Sequence, residues 1–140
     1  MDSSEIDVAT LARYGATAVA AGRVAIGLTA LALPSVPSRP WVGAAADDLA
    51  AQVFGRALGA RDVALGVGAL TALRRTPAEP GSASAWIAAG ALSDALDVVA
   101  SLASWRELPR VGRWLVAASA GCAALAGAAG ALAVRPEDGR

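Results

Sequence analysis

Five ionisable residues stand inside stretches that are otherwise apolar: Arg23, the adjacent Arg61 and Asp62, and Asp94 with Asp97 three positions on. A carboxylic acid and a carboxylate held close together can give and take a proton, and a neighbouring guanidinium can hold a carboxylate or steady an oxyanion. That chemistry suits epoxide opening, isomerisation or cyclisation of a lipophilic molecule. Two arginines against three aspartates leave one negative charge in excess, unless Arg56 turns inward. The expectation is therefore a proton shared by the Asp94/Asp97 pair, which relieves both desolvation and like-charge repulsion. Other chemistries are excluded by composition. With one cysteine and no histidine there is no internal disulfide, no Cys/His zinc cluster, no histidine-ligated haem and no histidine base. Neither a cofactor nor a metal site is expected, and Cys122, with no basic neighbour in sequence, reads as a small packing residue.

The elements that carry these residues are long and apolar. Of the 140 residues, 56% are hydrophobic and 17% charged, but the excess is largely alanine, so membrane location rests on charge-free runs. Trp114 to Val134 is 21 residues without a charge, and at about 1.5 Å per residue it crosses a hydrocarbon core of about 30 Å. A soluble helix of that length would need a polar face, and only Ser119 and Cys122 are available for one. The pattern predicts an all-α fold: a four-transmembrane-helix bundle forming a single membrane domain over residues 1–140, with spans at about 13–33, 53–73, 85–103 and 114–134 and both termini on one side. PSVPSRP, with Pro34, Pro37 and Pro40, predicts an extended polyproline-type connector. Val42 to Gln52 then predicts a short interfacial helix between helices 1 and 2. TPAEPGSAS and SWRELPRVGR read as loops, and the four tryptophans near span ends read as interface anchors.

Counted to the middle of each span, the five charges fall at one depth. Spacings of three and four put each on a stripe of small residues: Ala16, Ala20, Arg23, Gly27, Ala30 in the first span, and Gly55, Gly59, Asp62, Gly66 in the second. The third span gives Gly90, Asp94, Asp97, Ser101, and the fourth Ser119, Cys122, Ala126, Ala129. Leu65, Leu70, Val98 and Leu102 are expected to face lipid. Each central Asp or Arg costs about 2.5 to 3.5 kcal/mol on insertion and each large aliphatic returns about 0.3 to 0.6. The second and third spans are therefore expected to be stable mainly when Arg61 or Arg23 compensates the carboxylates.

Twelve acids and twelve bases cancel, so an electrostatic case for nucleic acid is absent. Every base is arginine, which with the alanine and glycine content reads as a GC-rich bacterial genome and a multi-pass protein of the plasma membrane. Asp2, Glu5 and Asp7 argue against a cleavable signal peptide. The words GARDVALGVG, followed by a helix with a central aspartate, resemble a family of small bacterial and fungal integral membrane proteins of unknown function with a G-x-R-D-x-x-x-G motif. The likeness covers mainly Gly55 to Asp97 and implies a four-helix membrane bundle, with no activity attached. Three readings stay open: acid/base handling of a terpenoid- or lipid-like substrate by Arg23, Arg61, Asp62, Asp94 and Asp97; a non-catalytic membrane subunit or scaffold whose buried charges fix helix packing; and proton or ion movement. The expected partners are membrane lipid or a lipophilic small molecule, with a second copy of the chain or a partner membrane subunit also open.

Overall fold

A computed structural model describes residues 8–74 and 82–133. These residues are almost entirely helical. The elements are α1 (Val8–Ala32), α2 (Ser35–Val42), a 3₁₀ turn over Gly43–Asp47, α3 (Leu49–Arg74), α4 (Ser82–Ala103) and α5 (Arg110–Ala133). Alanine, the strongest helix former, fills the four long helices, and Pro34 and Pro109 lie in the breaks that precede α2 and α5. Three stretches are long and apolar enough to cross a membrane: Thr10–Ala32, Ala83–Ala103 and Arg110–Ala131. α3 matches them in length, but Arg56, Arg61 and Asp62 lower its apolar character and it is not one of the three.

The inside and outside of this bundle are reversed relative to a soluble protein. Large side chains such as Tyr14, Phe54, Leu92 and Leu125 are exposed, whereas the buried apolar positions are small: Ala20, Ala30, Ala69, Ala72, Ala91 and Ala131, with Leu73 the one large exception among them. Small residues inside and large ones outside are what helices packing in lipid require, because close backbone approach replaces hydrophobic burial as the driving force. α1 packs chiefly on α3, α4 packs chiefly on α5, and α3 against α4 joins the two pairs. The seam between α1 and α5 is the sparsest of the four.

Glycine sets the closest of these approaches. A methyl built at Gly27 would lie 2.6 Å from the Gly59 carbonyl oxygen, and one at Gly59 would lie 2.7 Å from that of Gly27. Gly55, the other member of the predicted GxxxG pair, instead faces Pro34 and Ser38. The motif therefore packs α3 against α1 at one end and against the connector at the other.

Two expectations for the connector are corrected. PSVPSRP is not extended, because Pro34 itself sits in the right-handed helical region (φ −60°, ψ −29°) and α2 runs through both later prolines. Pro37 lies in the first turn, where a backbone N–H has no intrahelical partner, so its ring costs nothing there, and Pro40 removes one bond from an eight-residue helix. The interfacial helix expected at Val42 to Gln52 is accordingly displaced: a helix does stand between the two spans, but it is α2. The predicted segment itself becomes the 3₁₀ turn, an extended Asp48 and the start of α3. Gly43 permits the change of direction with φ 67°, the one positive φ among the described residues.

α2 lies across one end of the bundle. Pro40 and Trp41 put their carbonyls against Gly112 at the start of α5. Nearby, Arg113 donates to the Trp105 carbonyl at 2.8 Å and stacks over the Trp105 ring, which meets Trp114 edge-on. At the other end Arg13 donates to the Leu73 carbonyl at 2.7 Å, a cation on the negative end of α3.

Candidate functional site

The five predicted residues converge, from three helices, into a chain of alternating sign. Arg23 of α1 donates through Nη1 to Asp62 Oδ1 at 2.8 Å and through Nη2 to Asp94 Oδ2 at 2.5 Å. Arg61 of α3 donates through Nη1 and Nη2 to the two oxygens of Asp97 at 3.1 and 2.9 Å, and through Nη2 to its neighbour Asp62 at 3.3 Å. The order is Asp94, Arg23, Asp62, Arg61, Asp97. Side-chain exposure is lowest at the Asp94 end, 11% at Asp94 and Arg23, and higher beyond it, 18% at Asp62, 32% at Arg61 and 21% at Asp97.

The local sequence explains the layout. Arg23 has Gly27 one turn below it and Gly90 opposite, whose carbonyl accepts a further bond from Arg23 Nη2 at 3.3 Å. A methyl at Gly90 would sit 3.5 Å from that guanidinium, in ordinary contact, so the arginine lies directly against this turn of α4 on its way to Asp94. Adjacent positions on a helix point about 100° apart, which lets Arg61 and Asp62 serve different neighbours: Asp62 turns to α1 and Arg61 to α4. Arg56 is exposed and stays outside the layer.

The predicted compensation of the third span's carboxylates by Arg23 and Arg61 matches this geometry, but the carboxyl pairing does not. Asp94 and Asp97 turn to different arginines. At a separation of three residues two side chains share a helix face without having to share partners, and here cations from α1 and α3 draw them apart. The three carboxylates end up unequally held. Asp97 is clamped through both oxygens by Arg61, Asp62 accepts from two guanidiniums through Oδ1, and Asp94 accepts one bond from one guanidinium, through Oδ2.

Asp94 also meets a cavity. A space of about 310 Å³ runs between α1, α3, α4 and α5, and of the five charged residues only Arg23 and Asp94 line it. The remaining walls are alanine, glycine, Val19, Leu65, Trp86 and Ile87. Along α1 its lining extends from Arg23 back to Ala12, about 16 Å at 1.5 Å per residue. The deep positions Ala20, Gly66, Gly90 and Gly127 are buried, whereas Gly15 and Val19 on α1 and Ala126 and Ala129 on α5 are exposed. The mouth therefore opens at the α1–α5 seam, on the lateral surface.

Sequence reasoning missed this cavity and two of its walls. Leu65, expected to face lipid, lines it, and Trp86, expected only as an anchor, forms its wall beside Gly68. The fourth-span stripe is also corrected. Ser119 and Cys122 are exposed and away from the cavity, Ala126 and Ala129 are exposed but line its mouth, and the more buried face of α5 carries Ala120, Ala124, Gly127 and Ala131. Gly127 meets Ala91 of α4 there. No charge marks the inner face of α5, and with alanine and glycine on every side its sequence offered no signal for the choice. The groups of histidine, cysteine, aspartate and glutamate among the described residues give no metal-binding cluster.

Comparison of the chain with protein-family models, with curated proteins and with solved structures found no match.

Proposed function

We propose that the chain is a four-span membrane protein in which Asp94 performs acid/base chemistry on a lipophilic, terpenoid- or lipid-like molecule entering from the bilayer at the α1–α5 seam. α3 is the fourth span in this reading, made tolerable in lipid by pairing its charges with α1 and α4. The observation that carries it is that the least-held carboxylate of the chain of charges forms the floor of an apolar, laterally open cavity. Protonated Asp94 gives its proton to an epoxide oxygen or an alkene carbon; the resulting carboxylate, held by Arg23, takes a proton back at the end of the cycle. Asp62, Arg61 and Asp97 are positioning residues, which fix Arg23 and set the local charge.

A second reading has its own observation. Every charge of the layer is paired within the chain, and the pairs tie α1, α3 and α4 together, as a purely structural latch would require. One experiment separates the two. Asp94→Asn keeps the shape and removes a surplus charge, so both readings expect a folded protein. The catalytic reading also expects loss of one lipid-soluble product in the native host, seen by mass spectrometry of lipid extracts beside the thermal stability of the purified protein. A folded variant with an unchanged extract supports the latch.

A further inference from the structure

We propose that the cavity also binds a lipophilic organic cation, a quaternary or protonated amine with an apolar body, whose head sits at Asp94 in exchange for a proton. This goes beyond the catalytic reading and needs no bond-breaking, only the cavity and the Asp94 end of the charge chain. The case begins with the charge count. Three carboxylates and two guanidiniums form the layer, and an uncompensated charge in a hydrocarbon core is costly enough to demand a partner.

The geometry locates the excess. Asp97 takes two bonds from Arg61 and Asp62 takes one from each arginine, both on Oδ1, whereas Asp94 takes a single bond on Oδ2 and is the one carboxylate of the three that lines the cavity, so the capacity to spare that a ligand can reach is at Asp94. The groups facing Asp94 are Arg23 from α1, Asp62 from α3 and Asp97 from its own helix. α5 presents Ala123, Ala126, Gly127, Ala129 and Gly130 to the cavity and so adds no charge.

The same inventory sets the ligand class. An anion would meet a carboxylate, and the one cation in the lining, Arg23, is already committed to Asp62, Asp94 and the Gly90 carbonyl. The walls above offer only apolar contact, which suits a hydrocarbon body. A volume of about 310 Å³ holds about ten non-hydrogen atoms at the share of about 30 Å³ that a water molecule takes. The exchange balances: the cation enters, Asp94 releases one proton to water, and the layer is neutral with either occupant.

The probe is octyltrimethylammonium, titrated by calorimetry into the protein in phosphatidylcholine nanodiscs, with empty nanodiscs subtracted. The expected result is one saturable site that releases a proton. Its affinity falls about tenfold for each unit of pH below the midpoint of Asp94, as one-for-one exchange requires. Asp94→Asn should abolish binding. Gly15→Trp provides a second test independent of the ion pairs: Gly15 is an exposed lining residue and a methyl built there meets nothing within 4 Å, so the position can take a side chain, and an indole there is expected to cover the mouth while leaving the charge chain intact. Binding that is indistinguishable from empty nanodiscs, unaffected by Gly15→Trp, or independent of pH overturns the proposal, as does saturable binding of 1-decanol in place of the cation. A cation that fails to bind leaves the product loss expected for Asp94→Asn untouched, so the two proposals fail separately.

Discussion

Replacing Arg23 by methionine, which keeps most of the apolar stem and removes the guanidinium, takes away the hydrogen bonds to Asp62, Asp94 and the Gly90 carbonyl together. Counted with every carboxylate ionised, the layer then carries two surplus negative charges instead of one. In a soluble interior, stranding a buried partner costs about 3 to 5 kcal/mol, and with Arg23 and Asp94 each 11% exposed little screening by water reduces that figure. Lipid lowers it. Polar pairs between membrane helices average about 0.6 kcal/mol, with a maximum of about 1.7, because the separated helices also find partners. Two ion pairs are lost here, so the expected cost is about 1 to 3 kcal/mol. Asp94→Asn alone should fall within about 1 kcal/mol of wild type, because the surplus charge it removes offsets the bond it weakens. Arg23→Met/Asp94→Asn restores the original excess of one, and should therefore recover about 1 kcal/mol relative to the sum of the single changes. Reversible unfolding in bicelles, followed by helical circular dichroism, measures the cycle. Additivity within about 0.3 kcal/mol would mean that Arg23 and Asp94 do not interact, and the order of charges described above would be wrong.

Three further outcomes are expected. Gly59→Val, whose Cβ would lie 2.7 Å from the Gly27 carbonyl oxygen, should cost about 1 to 3 kcal/mol by overpacking, whereas Gly15→Ala, with open space around it, should be neutral or slightly stabilising in the same unfolding assay. Single cysteines at Ser4 and Gly139 in a Cys122→Ala background should react with a membrane-impermeant maleimide from the same side; labelling from opposite sides contradicts four spans. Cys122 itself, exposed on the outer face of α5, should react with a bilayer-soluble maleimide and resist the impermeant one, and the reverse pattern would place α5 in water.

The charged stripes were legible from sequence because an ionisable residue in an apolar helix has few places to go. Arg23, Asp62 and Asp94 mark the inner faces of α1, α3 and α4 by their cost in lipid, and the small residues three and four positions away follow them inward. α5 carries no such marker, and of its predicted face Ala126 and Ala129 reach the cavity while Ser119 and Cys122 stay outside. The connector misled for a different reason. Three prolines in seven residues suggest extended chain, but Pro34 precedes the helix, Pro37 needs no N–H partner, and the proline φ is itself helical. How the charges divide among themselves was beyond the pattern, since spacing brings Asp94 and Asp97 to one face without revealing which arginine approaches from which neighbouring helix. The cavity was beyond it too, because a void depends on how far α1 stands from α5.

The central claim is that Asp94 carries a proton at the floor of a cavity open to lipid. Dicyclohexylcarbodiimide tests it directly. The reagent partitions into membranes, takes the proton of a carboxylic acid onto nitrogen and captures the carboxylate as a stable acylurea, so it needs a protonated acid that it can reach, and Asp94 is the one carboxyl of the layer that lines the cavity. Peptide mapping after treatment of the protein in lipid should find the adduct on Asp94 and on neither Asp62 nor Asp97, and should find it suppressed by Gly15→Trp. A modified Asp62 or Asp97 with Asp94 unmodified would contradict the account, and so would a protein in which none of the three reacts.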